Sequence, residues 1–130
     1  MRKYINDLNI KYENTPQGWC HGDIRGKDWK EERKIYGFDS RETWGLDYTF
    51  NLWLYERLSM YNDINIIDTS FHKFTYKDEE ITFQDCIDRM LEGLKLDLTL
   101  DSFCDERKVV QDKIDDVVQI FALCFNALWW

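Results

Sequence analysis

The chain has a single proline and six glycines in 130 residues, too few for a collagen-like, Pro-rich or linker-dominated architecture. Its two histidines, His21 and His72, have no Ser or Cys set near them in the manner of a catalytic triad. The four cysteines, Cys20, Cys86, Cys104 and Cys124, are dispersed, with no C-x-x-C pair, so no structural zinc module is expected. Cys86 and Cys124 fall on or beside apolar helix faces, where a thiol behaves as a small core residue. Basic charge is also in deficit. Seventeen Lys and Arg against twenty-five Asp and Glu leave a formal net charge of −8, which excludes a general nucleic-acid-coating protein because such binding neutralises phosphates. Long apolar runs are missing as well. The most hydrophobic stretch, Val117 to Trp130, would span about 21 Å as a helix, short of the roughly 30 Å of a bilayer core. It reads as a buried helix. Met1 to Asp7 carry no apolar segment behind Arg2 and Lys3, so no signal peptide is expected, and the expected home is a reducing cytoplasm.

Hydrophobic and aromatic residues are abundant, at 44% and 16%, too rich for a disordered chain. The length suits one domain over residues 1–130. The patterning predicts a mainly α, three-helix bundle-like domain with a small β-hairpin and an irregular N-terminal arm. The first helix is expected at about 40–61. Asp39 can cap its free amides and Glu42 can reach back as a capping box, while Phe50, Leu54 and Leu58 form the apolar stripe. The second, about 82–98, opens at Thr82 with Asp85 three positions on and carries Phe83, Ile87, Met90, Leu91, Leu94 and Leu98. The third, about 105–129, has a seam of Val110, Ile114, Val117, Phe121, Phe125 and Leu128. Between the first two, the β-formers of Phe71 to Tyr76, a turn at Lys77 to Glu80 and Ile81-Thr82 predict a hairpin near 71–82. Residues 1–36 are read as an arm packed on the helices or on another copy.

Carboxylate pairs at helical spacing, Asp85 with Asp88 and Glu92, and Asp112 with Asp115 and Asp116, resemble the metal-holding sets of helical nucleotide hydrolases. On a helical wheel they lie about 100° or more from their apolar stripes, so they read as solvated faces and no metal or other cofactor is expected. Asp47 is different. It lies within about 20° of Leu54, on the expected apolar stripe, with Asn51 and Arg57 flanking it. A carboxylate turned inward must find donors, either as a structural residue or as part of a ligand pocket. Upstream, Arg25, Lys27, Lys30, Arg33, Lys34 and Arg41 are interleaved with Trp29, Tyr36 and Phe38, a mixture suited to a phosphate with a stacked base. The same segment holds Asp23, Asp28, Glu31, Glu32 and Asp39, so a solvated mixed-charge loop is the competing reading.

The run Gly37-Phe38-Asp39-Ser40-Arg41-Glu42-Thr43-Trp44-Gly45-Leu46-Asp47 resembles a pattern of small uncharacterised bacteriophage proteins. In these a Gly-Phe/Tyr leads into a capped helix carrying Trp-x-Leu-Asp, and the chain ends in Phe-x-x-x-Phe-x-x-Leu-Trp, matched here by Phe121, Phe125, Leu128 and Trp129. The resemblance implies a phage protein acting in a host bacterial cell, and by analogy of context a role against host defence. Combined with the residue reading, the expected function is non-enzymatic sequestration of a nucleotide-derived signal, with Arg33, Arg41, Trp44, Asp47 and Asn51 as ligand-binding residues. Two alternatives stand beside it: an acidic nucleic-acid mimic that inhibits a host defence nuclease, and a helical nucleotide hydrolase. The apolar circumference of the third helix, ending in Trp129 and Trp130, predicts a homo-oligomer.

Overall fold

The computed structural model describes residues 8, 10–64, 68–99 and 107–128. It is mainly α with a small antiparallel hairpin, in the order α1 (Gly26–Tyr36), α2 (Leu46–Ile64), β1 (Lys73–Tyr76), β2 (Glu79–Thr82), α3 (Phe83–Thr99) and α4 (Arg107–Cys124). Short 3-10 turns lie at Tyr12–Asn14, Pro16–Gly18, Ser40–Thr43 and Phe125–Ala127.

The centre is α3, which packs against α2 on one side and α4 on the other. Its stripe of Phe83, Cys86, Ile87, Met90 and Leu94 is wholly buried, as the period of the sequence requires. Its start is the expected capping box: Thr82 Oγ1 accepts from the Asp85 amide at 3.0 Å, and the Thr82 amide donates to Asp85 Oδ2 at 3.0 Å. Gly93 sits where α4 crosses most closely. A Cβ built there would lie 2.5 Å from Val117 Cγ2 and 3.2 Å from the Lys113 carbonyl oxygen. Cys86 and Cys124 meet in this interface, fully buried, and the hydrogen bond between their thiols together with burial pushes Cys124 above its ordinary range.

The hairpin pairs Phe74 with Ile81 and Tyr76 with Glu79. Its turn is only Lys77-Asp78, both at positive φ (49° and 65°), which leaves Glu79 and Glu80 in the second strand. Phe74, Tyr76 and Ile81 face the helices, and the Tyr76 hydroxyl reaches Asp116 on α4. Asp116 is therefore not on a solvated face as expected. The hairpin lies over it, Lys77 Nζ binds it at 3.1 Å, and these donors hold its carboxyl below the usual range. Asp85, Asp88, Glu92, Asp112 and Asp115 are exposed as read.

The helix boundaries depart from expectation in three places. The second half of the N-terminal arm is not irregular: residues 26–36 form α1. Its Lys, Glu and Arg content favours a helix, and Gly37 at φ +83° ends it with an amide bonded to the Arg33 carbonyl at 3.0 Å. The first long helix does not run unbroken from residue 40. The capped 3-10 turn Ser40–Thr43 is followed by a bend at Trp44-Gly45, and α2 starts only at Leu46. The third helix closes at Cys124, with its buried positions at Val110, Val117, Ile120 and Cys124 and with Phe125 exposed. Cys104 and the Trp129-Trp130 pair, on which the oligomer expectation partly rested, lie outside the described residues. On α4 itself, Val109, Val118 and Leu123 are exposed. No helix among the described residues is long and apolar enough to cross a membrane.

Candidate ligand-binding trough

The residues singled out in the sequence do not form one pocket. Arg33 and Arg41 converge, but on a partner of the chain's own. Asp39 is fully buried and caps the Ser40–Thr43 turn, with Glu42 Oε2 accepting from its amide at 3.1 Å. Its carboxylate accepts from the Arg41 amide (3.0 Å), Arg41 Nε (3.0 Å), Arg41 Nη2 (2.8 Å) and Arg33 Nη1 (2.8 Å). Burial alone would raise Asp39. The hydrogen bonds from Arg41, and the charges of Arg41 and Arg33, hold it below the ordinary carboxylate range instead. Arg41, 4% exposed, also donates to the Trp19 carbonyl at 2.9 Å and lies 4.5 Å from the centre of the Trp29 ring. This hub ties the Trp19 segment and α1 to the start of α2.

Trp44 stands at the edge of the hub. It is half exposed, stacks on Trp19 with centroids 6.4 Å apart, and meets Trp29 edge-on at 5.8 Å. Asn51 points the other way, into the helix interface, where its Nδ2 donates to Asp97 Oδ2 at 2.8 Å. Asp97 also pairs with Arg107 at 3.1 Å, so the amide links α2 to the α3–α4 end.

Asp47 is exposed, which overturns the inward placement. The buried residues of α2 are Asn51, Leu52, Leu54, Tyr55 and Leu58, an arc that still contains the angle of Asp47, so its exposure comes from its place along the helix rather than around it. The buried positions of α2 begin only at Asn51, and Leu46, Asp47 and Phe50 before it meet solvent.

A large open hollow borders this exposed stretch. Between the Gly37–Thr43 segment and the outer face of α2 lies a trough of about 350 Å³, walled by Phe38, Leu46 and Trp53, with Glu42, Thr43, Thr49 and Arg57 around it. It runs on into a smaller recess of about 80 Å³ that shares Glu42, Thr49, Trp53 and Arg57 and is closed by Pro16, Gln17, Leu52 and Glu56. Phe38, Leu46 and Trp53 are 49%, 66% and 46% exposed, an unusual apolar lining to leave in water. The Arg57 guanidinium lies 4.6 Å from the Trp53 ring centre, donates to the Trp53 carbonyl at 3.2 Å, and keeps over half its side chain in solvent.

One polar group in the recess has no partner among the described residues, and a second is paired only with a neighbouring cation. Thr49 Oγ1 is buried without a hydrogen-bond partner among the described residues, a state that costs about 1–3 kcal/mol unless something fills it. The Glu56 carboxylate, its side chain 24% exposed, has its nearest cation, Arg57 Nη1, at 3.6 Å. Burial raises it above its ordinary range, with Arg57 only partly opposing. In the sequence, Phe38, Glu42 and Arg57 stand out only as neighbours of other features, and Trp53 does not stand out at all. The available signal was the excess of large apolar residues on both sides of α2, more than one buried face can absorb.

The sequence matches no protein family model, and neither the curated proteins nor the solved structures contain a significant match to it.

Proposed function

We propose that the chain is a non-catalytic binding protein that sequesters a small nucleotide-derived molecule, with the site in the trough beside α2. The observation that carries this reading is the combination of an exposed apolar lining with a buried, unpartnered Thr49 hydroxyl and an open rim cation, Arg57. A hollow of about 350 Å³ falls within the range that holds small ligands. A flat apolar body packs against Phe38, Leu46 and Trp53, and an anionic substituent meets Arg57 at the mouth. Arg33 and Arg41 then act by holding the Gly37–Thr43 wall through Asp39, and Trp44 by bracing it, rather than by touching the ligand. The resemblance to small phage proteins makes a host defence signal the natural class of cargo, and the exposed Val118, Leu123 and Phe125 of α4 offer a surface for a second copy.

The test is retention and recovery. Purified protein is equilibrated with a panel of linear and cyclic nucleotides, separated from free ligand, heat-denatured, and the released material chromatographed. Intact ligand from the wild type, absent from Trp53→Ala and Arg57→Ala, supports the proposal. Altered ligand would replace it with catalysis. No retention at all would favour the acidic-inhibitor reading, whose surface is the exposed row Asp85, Asp88 and Glu92.

A further inference from the structure

We infer that the outer face of α2 is the seam of a symmetric dimer, in which Leu46, Phe50, Trp53 and Arg57 pair antiparallel with the same four residues of a second copy. This pairing goes beyond the trough and holds whatever the trough binds.

α2 has two apolar faces. One, with Leu54, Tyr55 and Leu58, is buried against the core. On the other, Leu46, Phe50, Trp53 and Arg57 recur at steps of four, three and four, the spacing of a helix–helix seam. Leu46 is mostly exposed, Phe50 and Trp53 nearly half, and Arg57 over half. A helix apolar on one side is served by a single core, whereas one apolar on both sides is built to be covered twice. The exposed face does not stop at α2. Phe50 stacks on Trp53 with ring centres 6.4 Å apart and meets Phe121 of α4 edge-on at 6.0 Å, and Phe121 meets Phe125 at 5.4 Å. Val118, one turn before Phe121, is exposed as well. Together these side chains leave roughly 500 Å² of contiguous apolar surface in water, the upper range for a monomer. Two copies face to face would cover roughly 1,000 Å², the size at which a specific interface begins.

The order of residues along the stripe identifies the occupant. A two-fold axis between Phe50 and Trp53 reverses the series, so that Phe50 lies against the partner's Trp53 and Arg57 against the partner's Leu46. The contact is self-complementary, as a closed two-fold interface must be. Asp47, next to Leu46, is exposed and forms no ion pair with any described residue. Arg57 has Glu56 only at 3.6 Å, beyond hydrogen-bond distance, and keeps over half its side chain in solvent. In the reversed pairing each Arg57 reaches the partner's Asp47, and both ends of the seam close on opposite charges. A net charge of −8 on each chain opposes self-association, so a like copy is admitted where the contact is apolar and its ends are paired.

The experiment is analytical ultracentrifugation of the full chain at low micromolar concentration. The wild type should sediment at twice the 15.9 kDa of one chain. Phe50→Glu, Arg57→Asp and Asp47→Arg should each raise the dissociation constant at least about tenfold, by placing a charge in the seam or two like charges at its ends. The double variant Asp47→Arg/Arg57→Asp, which exchanges the two charges, should restore the dimer. All four should keep the wild-type far-ultraviolet circular dichroism, since the side chains changed meet solvent. Phe50 borders neither hollow, so its effect on mass is separate from any effect on ligand retention. A wild type with the mass of one chain would overturn the pairing and leave this face to an unlike partner. A dimer indifferent to Phe50→Glu would overturn the seam, and a double variant no tighter than Arg57→Asp alone would overturn the antiparallel register.

Discussion

Replacing Asp39 tests the claim that the basic residues before α2 are consumed internally. Asp39 is fully buried and holds four donors, three from Arg41 and one from Arg33. The Arg33 share is worth little, because that side chain is 38% exposed and screened by solvent. Arg41 is the costly partner: with Asp39→Ala its nearly buried guanidinium keeps, among the described residues, the Trp19 carbonyl and the face of Trp29. Removing one member of a buried pair costs about 3–5 kcal/mol, chiefly by stranding the other charge. The lost cap adds about 1 kcal/mol. Urea unfolding followed by circular dichroism should therefore show the midpoint falling by roughly 2 M at an ordinary slope for a small domain. Asp39→Asn keeps the shape and part of the cap but turns an amide donor toward Arg41, so it should also lose more than about 2 kcal/mol. The double variant Asp39→Asn with Arg41→Met should recover part of that loss, since no charge is stranded. The pH dependence has a definite sign. Because Asp39 is held below its unfolded value, its stabilisation is fully present above the ordinary carboxylate range and fades as pH falls through the lowered folded value. A loss below about 0.5 kcal/mol for Asp39→Asn, or an unchanged acid limb, would refute the hub and return Arg41 to the pool of free ligand contacts.

Other outcomes follow from single contacts. Gly93→Ala gains about 1 kcal/mol of helix propensity but drives a methyl into Val117, and overpacking of about 1–3 kcal/mol should make it net destabilising, with Gly93→Ala/Val117→Ala restoring much of the loss in thermal unfolding. Glu56→Gln should be at least as stable as the wild type at neutral pH. Its folded value is raised by burial, so the favourable contribution of Glu56 exists below the ordinary range and is lost as pH rises through the raised value, and the variant's advantage should widen over that same rise. Tyr76→Phe removes a donor from Asp116 while Lys77 remains, and should cost about 1 kcal/mol in urea melts. Asp47→Asn, Asp88→Asn and Asp115→Asn should each stay within about 0.5 kcal/mol of wild type, since all three side chains are solvated. Light scattering at low micromolar concentration should give a mass above the 15.9 kDa of one chain, falling when Val118 and Leu123 are made polar.

The sequence by itself determined the elements whose causes are local. The period of Phe83, Ile87, Met90 and Leu94 set α3 and its buried face, Thr82 with Asp85 and Asp39 with Glu42 set the starts of α3 and of the Ser40–Thr43 turn by capping, and the β-formers around Lys77 set the hairpin. Each follows from contacts three or four residues apart, which a linear reading can see. Tertiary structure decided what depended on the bend at Trp44-Gly45. A wheel puts Asp47 on the core side, and because Asp47 and Leu54 share α2 that angle stands; what the wheel cannot see is that α2 starts only after the bend and that its buried positions begin at Asn51, so the turn before them meets solvent. The same bend faces Phe38 to Trp53 across a hollow, a juxtaposition that spans no periodic spacing. The fate of Arg33 and Arg41 was equally invisible, because a linear count of charges records a neutral segment without saying which carboxylate is buried among the guanidinium groups. That is a matter of desolvation, and desolvation exists only once the chain has packed.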